Sequence, residues 1–166
     1  MSDLHIRTAR IADASAVTDL LNQEIRTGLA IWRYEERDPA EIENLIQIRL
    51  TAGCAAYIAE RNQEIIGWAS YGPFRAGEGY GQTMEHSVHV ASAHRRSGIG
   101  RQLMTRLLDH ADAAEVHTMI GAIESTNTAS IALHAQFGFV EVGRLPEIGW
   151  KFDRWLSLIL MQRTAT

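Results

Sequence analysis

One segment constrains this 166-residue chain more than any other: Val88-His89-Val90-Ala91-Ser92-Ala93-His94-Arg95-Arg96-Ser97-Gly98-Ile99-Gly100-Arg101. It reads as a strand, a short turn rich in arginine and glycine, and the start of a helix. The first turn of a helix leaves its backbone N–H groups without intrahelical partners, and the aligned peptide dipoles favour negative charge there. Glycine at 98 and 100 removes the Cβ atoms that would hold a pyrophosphate away from those donors. Arg95, Arg96 and Arg101 can add charge-assisted contacts to phosphate oxygens. The plainer alternative is a turn in which glycine permits the bend and the arginines are solvated. Two other phosphate motifs are excluded. Leu103 stands where Gly-x-Gly-x-x-Gly needs its third glycine, and no Gly-Lys-Ser/Thr completes a Walker loop.

Around this segment the pattern alternates between helix and strand. Residues 5–7 read as a short strand and 12–22 as a helix with Ala16, Val17, Leu20 and Leu21 on one stripe. Residues 27–37 are irregular and carry Trp32. Asp38-Pro39 starts a second helix, with aspartate as cap and proline in the first turn, running to Thr51 and stopping at Gly53. Residues 55–60 and 64–71 form a hairpin, followed by a loop holding Gly72, Gly77, Gly79 and Gly81. Further strands are expected at 83–90, 118–123, 139–144 and 155–162, with helices at 98–113 and 128–137. Ile99, Leu103, Leu107 and Ala111 give the helix at 98–113 its apolar face. Hairpins interrupt the helix–strand alternation, so the fold expected is α/β of the mixed, α+β kind: a mixed sheet flanked by helices. No repeat or linker divides the chain, and residues 1–166 are expected to form one domain.

Composition narrows the partners. A net charge of −4 and a pI near 6.0 argue against nucleic acid or an anionic membrane as the main partner. A single cysteine, Cys54, rules out an intramolecular disulfide and suits a reducing compartment. Residues 1–5 lack the basic start and apolar core of a signal peptide, and no apolar run reaches the roughly 18–20 residues of a membrane span. A cytoplasmic location is the expectation.

Arg95-x-x-Gly98-x-Gly100 matches the Arg/Gln-x-x-Gly-x-Gly/Ala signature of the GCN5-related N-acetyltransferases, and Asn127-x-x-Ser130-x-x-Leu133-His134-x-x-Phe137-Gly138-Phe139 matches a second motif of that family. The resemblance runs over nearly the whole chain. Glu85-His86-Ser87-Val88-His89-Val90, Gly149-Trp150-Lys151-Phe152-Asp153-Arg154-Trp155 and Ala122-Ile123-Glu124-Ser125-x-Asn127 resemble the branch that acetylates phosphinothricin and methionine sulfoximine or sulfone. It implies a splayed mixed sheet, with acetyl-CoA as co-substrate between the strands at 83–90 and 118–123. Backbone of Val88, His89 and Val90 would pair with the pantetheine arm. N–H groups of Arg96, Ser97, Gly98, Ile99, Gly100 and Arg101 would hold the pyrophosphate, with Arg95 beside them. Asn127 and Ser130 would lie on the opposite side of the cofactor. The resemblance also implies a homodimer, with the segment from Trp150 to Trp155 as a contact.

Acetyl transfer to an amine has two proton problems. The ammonium must lose a proton before it attacks, and the departing CoA sulfur, with a thiol pKa of about 8.5 by analogy with cysteine, leaves better if protonated. The resemblance gives the base role to Glu85 and the acid role to His134, where many family members carry tyrosine. Each has a plainer reading, Glu85 as a solvated carboxylate and His134 as a helix histidine beside Phe137. His86 and His89 invite a metal reading, but residues three apart on a regular strand face opposite sides, and no cysteine or further histidine completes a ligand set. No metal is expected, and His86 and Ser87 are assigned instead to the substrate pocket.

Arg75, with Ala76 and Gly77, sits in the glycine-rich loop and matches a substrate-contacting arginine of the branch. A guanidinium binds an amino-acid carboxylate bidentately, though Arg75 also reads as a surface arginine. Trp32, Phe74, Tyr80 and Lys151 are further candidates for the pocket wall. The expected activity is acetyl-CoA-dependent N-acetylation of a small amino-acid-like substrate such as methionine sulfoximine, methionine sulfone or phosphinothricin. The rivals on the same fold are a polyamine, aminoglycoside or protein N-terminal acceptor, and a non-catalytic acyl-CoA-binding regulator. Ser157 departs from the branch, which carries aspartate there.

Overall fold

A computed structural model of the protein describes residues 4–165. Residues 1–3, part of the stretch examined for a signal peptide, lie outside the described residues. The elements in order are β1 (Leu4–Thr8), α1 (Ala14–Thr27), α2 (Pro39–Thr51), β2 (Ala56–Arg61), β3 (Glu64–Pro73), β4 (Thr83–Val90), α3 (Ile99–Ala113), β5 (Thr118–Glu124), α4 (Thr128–Gln136), β6 (Val140–Lys151) and β7 (Arg154–Thr164). The strands follow the order β1-β2-β3-β4-β5-β7-β6. β4 and β5 are parallel, while β1–β2, β2–β3, β5–β7 and β6–β7 are antiparallel. The mixed sheet with helices is the class expected from the alternation.

The chain divides into two compact units. The first takes in the chain to Asn22, Arg37–Gly72 and Ser87–Glu115. Its core is aliphatic: Ile42, Ile46, Ile58, Ile66, Ile99, Leu103 and Leu107 are buried, with Trp68 and Met104 among them. The apolar face expected of α3 is buried as predicted. From Ile66 to Tyr71 every residue of β3 is buried, the pattern of a strand covered on both faces. Asp38 caps α2, its Oδ1 accepting from the Ala40 N–H at 2.8 Å, and Glu41 completes a capping box. Arg7 lies 2.7 Å from Asp13 and 2.8 Å from Glu60. The hydrogen bond from Arg7 holds the Asp13 carboxyl below its ordinary value.

Helix α1 begins at Ala14 and runs to Thr27, five residues beyond the expected end. A short 3-10 turn, Ile11–Asp13, precedes it. The Asn22 side chain bonds the Arg37 backbone, accepting its N–H at 2.7 Å and donating to its carbonyl at 3.0 Å.

The second unit takes in Gln23–Glu36, Pro73–His86 and Val116–Thr166. Here the sequence reading places the end of β6 at 144, but the strand runs on to Lys151. Two features carry it past the expected end. A register shift between Leu145 and Gly149 absorbs Pro146 and Glu147, the latter at φ 49°. A tight turn through Phe152 and Asp153, at φ 51° and 54°, then returns the chain to β7. A left-handed turn is ordinarily marked by glycine or asparagine, and Phe-Asp carries no such mark.

Lys151, a candidate for the pocket wall, is buried in this unit. Its Nζ donates to the carbonyls of Gly28 and Ile31, both at 2.7 Å, so it ties the 23–36 segment to β6. Burial lowers its pKa, and the Glu24 carboxylate opposes that shift. Trp32 serves the same closure. Its Nε1 donates to the Leu29 carbonyl at 2.7 Å, and its ring lies against the bare α-carbon of Gly149.

Candidate active site

In the first unit, the strand–turn–helix segment has the local form that the sequence suggests. β4 ends at Val90, a 3-10 turn spans Ser92–His94, and α3 starts at Ile99 with Gly98 as its N-cap. Gly98 has φ 83°, in the left-handed region that a side chain rarely adopts, and a Cβ added there would meet nothing within 4 Å. No side chain caps the helix at Gly98, and the first-turn N–H groups of a helix have no intrahelical partner. Arg95 turns back to close the turn, its Nε donating to the Val90 carbonyl at 3.1 Å. The Ser97 hydroxyl donates to the His94 carbonyl. Arg96 is exposed at φ 59°, and Arg101 is exposed on the first turn of α3.

In the second unit, the structure brings together two histidines that the sequence reading treats separately. His86 on β4 and His134 on α4 are both buried, with Nε2 atoms 3.1 Å apart and rings stacked at 5.0 Å between centroids. Phe139 closes the cluster edge-on, 5.4 Å from His86 and 5.1 Å from His134. His134 Nδ1 lies 2.7 Å from the Ser130 carbonyl. A carbonyl can only accept, so Nδ1 carries the proton and, in the neutral ring, Nε2 is an acceptor. The 3.1 Å contact then requires His86 Nε2 to donate. Burial holds the His134 imidazole below its ordinary pKa, with the Ser130 carbonyl opposing the shift, so the neutral form prevails at neutral pH.

Gly121 makes this meeting possible. It pairs with His86 in the parallel ladder, and a Cβ there would stand 2.8 Å from His134 Nε2 and 3.2 Å from His86 Nε2. The sequence offered one signal for it, a lone glycine inside a strand pattern, which marks close approach. It was not read.

Glu85 is half-buried on β4. Successive strand residues point to opposite faces, so Glu85 and Ser87 share one face while His86 and Val88 take the other. The structure therefore groups His134 with His86 and not with Glu85. The ladder with β5 runs from Thr83↔Thr118 to His86↔Gly121, whereas β4 itself continues to Val90, taking in Ser87, Val88 and His89. Arg75, Ala76 and Gly77 are exposed, and the Arg75 guanidinium carbon stands 5.2 Å from the Phe74 ring centre. Phe74 in turn meets Tyr80 edge-on at 6.1 Å. Asn127 caps α4, its Oδ1 accepting from the Ser130 N–H at 3.1 Å. The buried Glu124, absent from the expected site, accepts from the Thr126 N–H at 3.0 Å and from the Thr126 hydroxyl. Ser157 accepts the Glu147 N–H at 3.1 Å on its hydroxyl and the Ser125 N–H at 2.9 Å on its carbonyl, fastening the register shift of β6.

Residues 17–139 match the Acetyltransferase (GNAT) family. The chain belongs to that family. The L-methionine sulfoximine/L-methionine sulfone acetyltransferase of Salmonella typhimurium is 39% identical, over 95% of this chain and 92% of its own. Two solved structures share the fold closely. One is a GNAT superfamily phosphinothricin acetyltransferase from Sinorhizobium meliloti in complex with acetyl-CoA, with a TM-score of 0.93 and 28% identity over 97% of this chain and 88% of that one. The other is a ribosomal-protein-alanine N-acetyltransferase from Brucella melitensis, with a TM-score of 0.93 and 42% identity over 97% of this chain and 99% of that one. This GNAT chain has, among its described residues, no group of three or more His, Cys, Asp or Glu able to hold a metal ion. Among the same residues no helix is long and apolar enough to cross a membrane.

Proposed function

We propose that this GNAT chain is an acetyl-CoA-dependent N-acetyltransferase whose acceptor is the amino group of a small amino-acid-like molecule, such as methionine sulfoximine, methionine sulfone or phosphinothricin. The observation that carries the reading is the 39% identity over 95% of the chain to an enzyme named for methionine sulfoximine and methionine sulfone. The chain's own residues fit the donor. The left-handed Gly98, the open space where its Cβ would stand and the first-turn N–H groups of α3 suit a pyrophosphate. The Arg96 and Arg101 guanidiniums supply positive charge beside it. Val88, His89 and Val90, on the part of β4 beyond its ladder with β5, suit the pantetheine amides. Asn127 and Ser130 lie at the start of α4. Acetyl-CoA supplies the activated acetyl group; everything else falls to the protein.

Glu85 is the base that takes the ammonium proton, directly or through a water, and His134 is the acid for the departing sulfur. Arg75, held against Phe74, clamps the acceptor carboxylate, with Ala76, Gly77, His86 and Ser87 around the acceptor. The family match spans segments of both compact units, which supports one functional domain over residues 1–166. The exposed aromatics Trp150, Phe152 and Trp155 of the β6–β7 hairpin support a homodimer joined there. The lone thiol of Cys54 fits a cytoplasmic location.

A second reading has its own support. The 42% identity to a ribosomal-protein-alanine N-acetyltransferase makes a protein N-terminus the rival acceptor. An acceptor screen with purified protein and acetyl-CoA separates the two, reading CoA release. Methionine sulfoximine, methionine sulfone and phosphinothricin are expected to be acetylated and an alanine-ended peptide not; the reverse order would overturn the small-molecule reading.

A further inference from the structure

We propose that Glu124 is a positioning residue for the donor site: its buried carboxylate fixes the turn from β5 into α4, and with it the placing of Asn127 and Ser130. This rests on the acetyl-CoA part of the reading above. Glu124 is the last residue of β5, pairs with Leu158 of β7 and is 5% exposed. Among the described residues no basic side chain forms an ion pair with it. A carboxylate taken out of water is costly unless donors surround it. The donors that meet this one belong to the next two residues. Oε2 accepts the Thr126 N–H at 3.0 Å and the Thr126 hydroxyl, and Oε1 accepts the Ser125 hydroxyl at 3.4 Å.

The backbone of the turn is engaged in the same way. Ser125 N–H donates to the Ser157 carbonyl, Asn127 N–H to the Glu124 carbonyl and Thr128 N–H to the Thr126 carbonyl, each at 2.9 Å. Ser130 N–H donates to Asn127 Oδ1 at 3.1 Å. That last bond decides which way the Asn127 amide faces: Oδ1 is committed to the helix, so Nδ2 is the end left to meet a ligand. The starts of α3 and α4 therefore differ. No side chain caps α3, whereas α4 has the Asn127 amide at its first turn and the Glu124 carboxylate just before it. A negative charge already stands where the dipole of α4 would favour an anion. Phosphate belongs at α3, and α4 offers the fixed side chains of Asn127 and Ser130.

Isothermal titration of the full-length protein with acetyl-CoA tests this without an acceptor. Glu124→Gln keeps an oxygen for Thr126 and can donate to the Ser125 hydroxyl, so it should lose little affinity. Glu124→Met removes both acceptors and should raise Kd roughly tenfold. Hydrogen exchange gives a readout free of ligand: in the Glu124→Met protein the Thr126 and Ser130 amides should both exchange faster than in the wild type. A lowered melting temperature with unchanged Kd, or a faster Thr126 amide beside an unchanged Ser130, would mean that the carboxylate only stabilises the turn, and overturns the proposal. Equal losses of affinity in the two variants overturn it too, because charge and not position would then count. Should Glu124→Met fail to fold, Thr126→Val replaces it at an exposed residue. That change removes one donor and should raise Kd about threefold; an unchanged Kd overturns the proposal. If the wild type binds no acetyl-CoA, the donor reading fails and the proposal falls with it. Equal binding by the wild type and Glu124→Met overturns the proposal alone.

Discussion

A side chain on Gly121 would begin 2.8 Å from His134 Nε2, so β5 keeps a bare α-carbon where the α4 histidine comes down on it. Gly121→Ala must push the histidine pair apart or shift the helix. Overpacking of this kind costs about 1–3 kcal/mol. Urea denaturation should show that loss together with a lowered kcat, and a variant as stable and active as the wild type would contradict the close approach.

Lys151 closes the 23–36 segment by donating to two backbone carbonyls. Lys151→Met keeps much of the volume and removes both donors. An unsatisfied buried polar group costs roughly 1–3 kcal/mol, so the urea midpoint should fall by a corresponding amount. An unchanged midpoint would mean that water replaces the ammonium without loss.

Acid should weaken the fold through His134. Burial depresses its pKa in the folded protein below the ordinary 6.5, so the unfolded chain takes up this proton at higher pH. Its contribution is complete above the unfolded value and is lost as pH falls towards the folded one. The melting temperature should drop as pH falls through and below 6.5, and His134→Gln should flatten that drop. Asp13, also depressed, acts only lower, in the range around its ordinary 3.8. Parallel curves for wild type and variant would contradict the assignment.

Gly98 separates geometry from ligand. Its φ of 83° makes Gly98→Ala costly by about 1–2 kcal/mol, but the new Cβ meets nothing in the protein itself. The expected result is a folded enzyme with a strongly raised acetyl-CoA KM. Unchanged KM would remove the cradle from the donor site.

What the sequence disclosed follows from which signals are local. The Asp38 cap, the hairpin of β2 and β3, the bounds of β4 and the buried stripe of α3 all rest on nearest-neighbour patterns, and the structure has them. The family motifs were legible for the same reason, being contiguous. Three features were not. β6 passes the expected end at 144 because a bulge and a left-handed Phe-Asp turn leave no glycine mark. α1 outruns its reading because the Asn22 amide finds the distant Arg37 backbone. His86 and His134 stand 48 residues apart in sequence, and only the fold puts their Nε2 atoms in contact.

Glu85→Gln tests the central claim most directly. General-base catalysis contributes about 10²–10⁴-fold, so steady-state kinetics with methionine sulfoximine should show kcat reduced by that order while the acetyl-CoA KM hardly moves. Glutamine preserves the shape and can hydrogen-bond, but it cannot take the ammonium proton. Part of the loss should return at high pH, where more of the acceptor is already deprotonated. That combination is the result this account predicts. Near-normal kcat across the pH range would contradict it and place the base elsewhere.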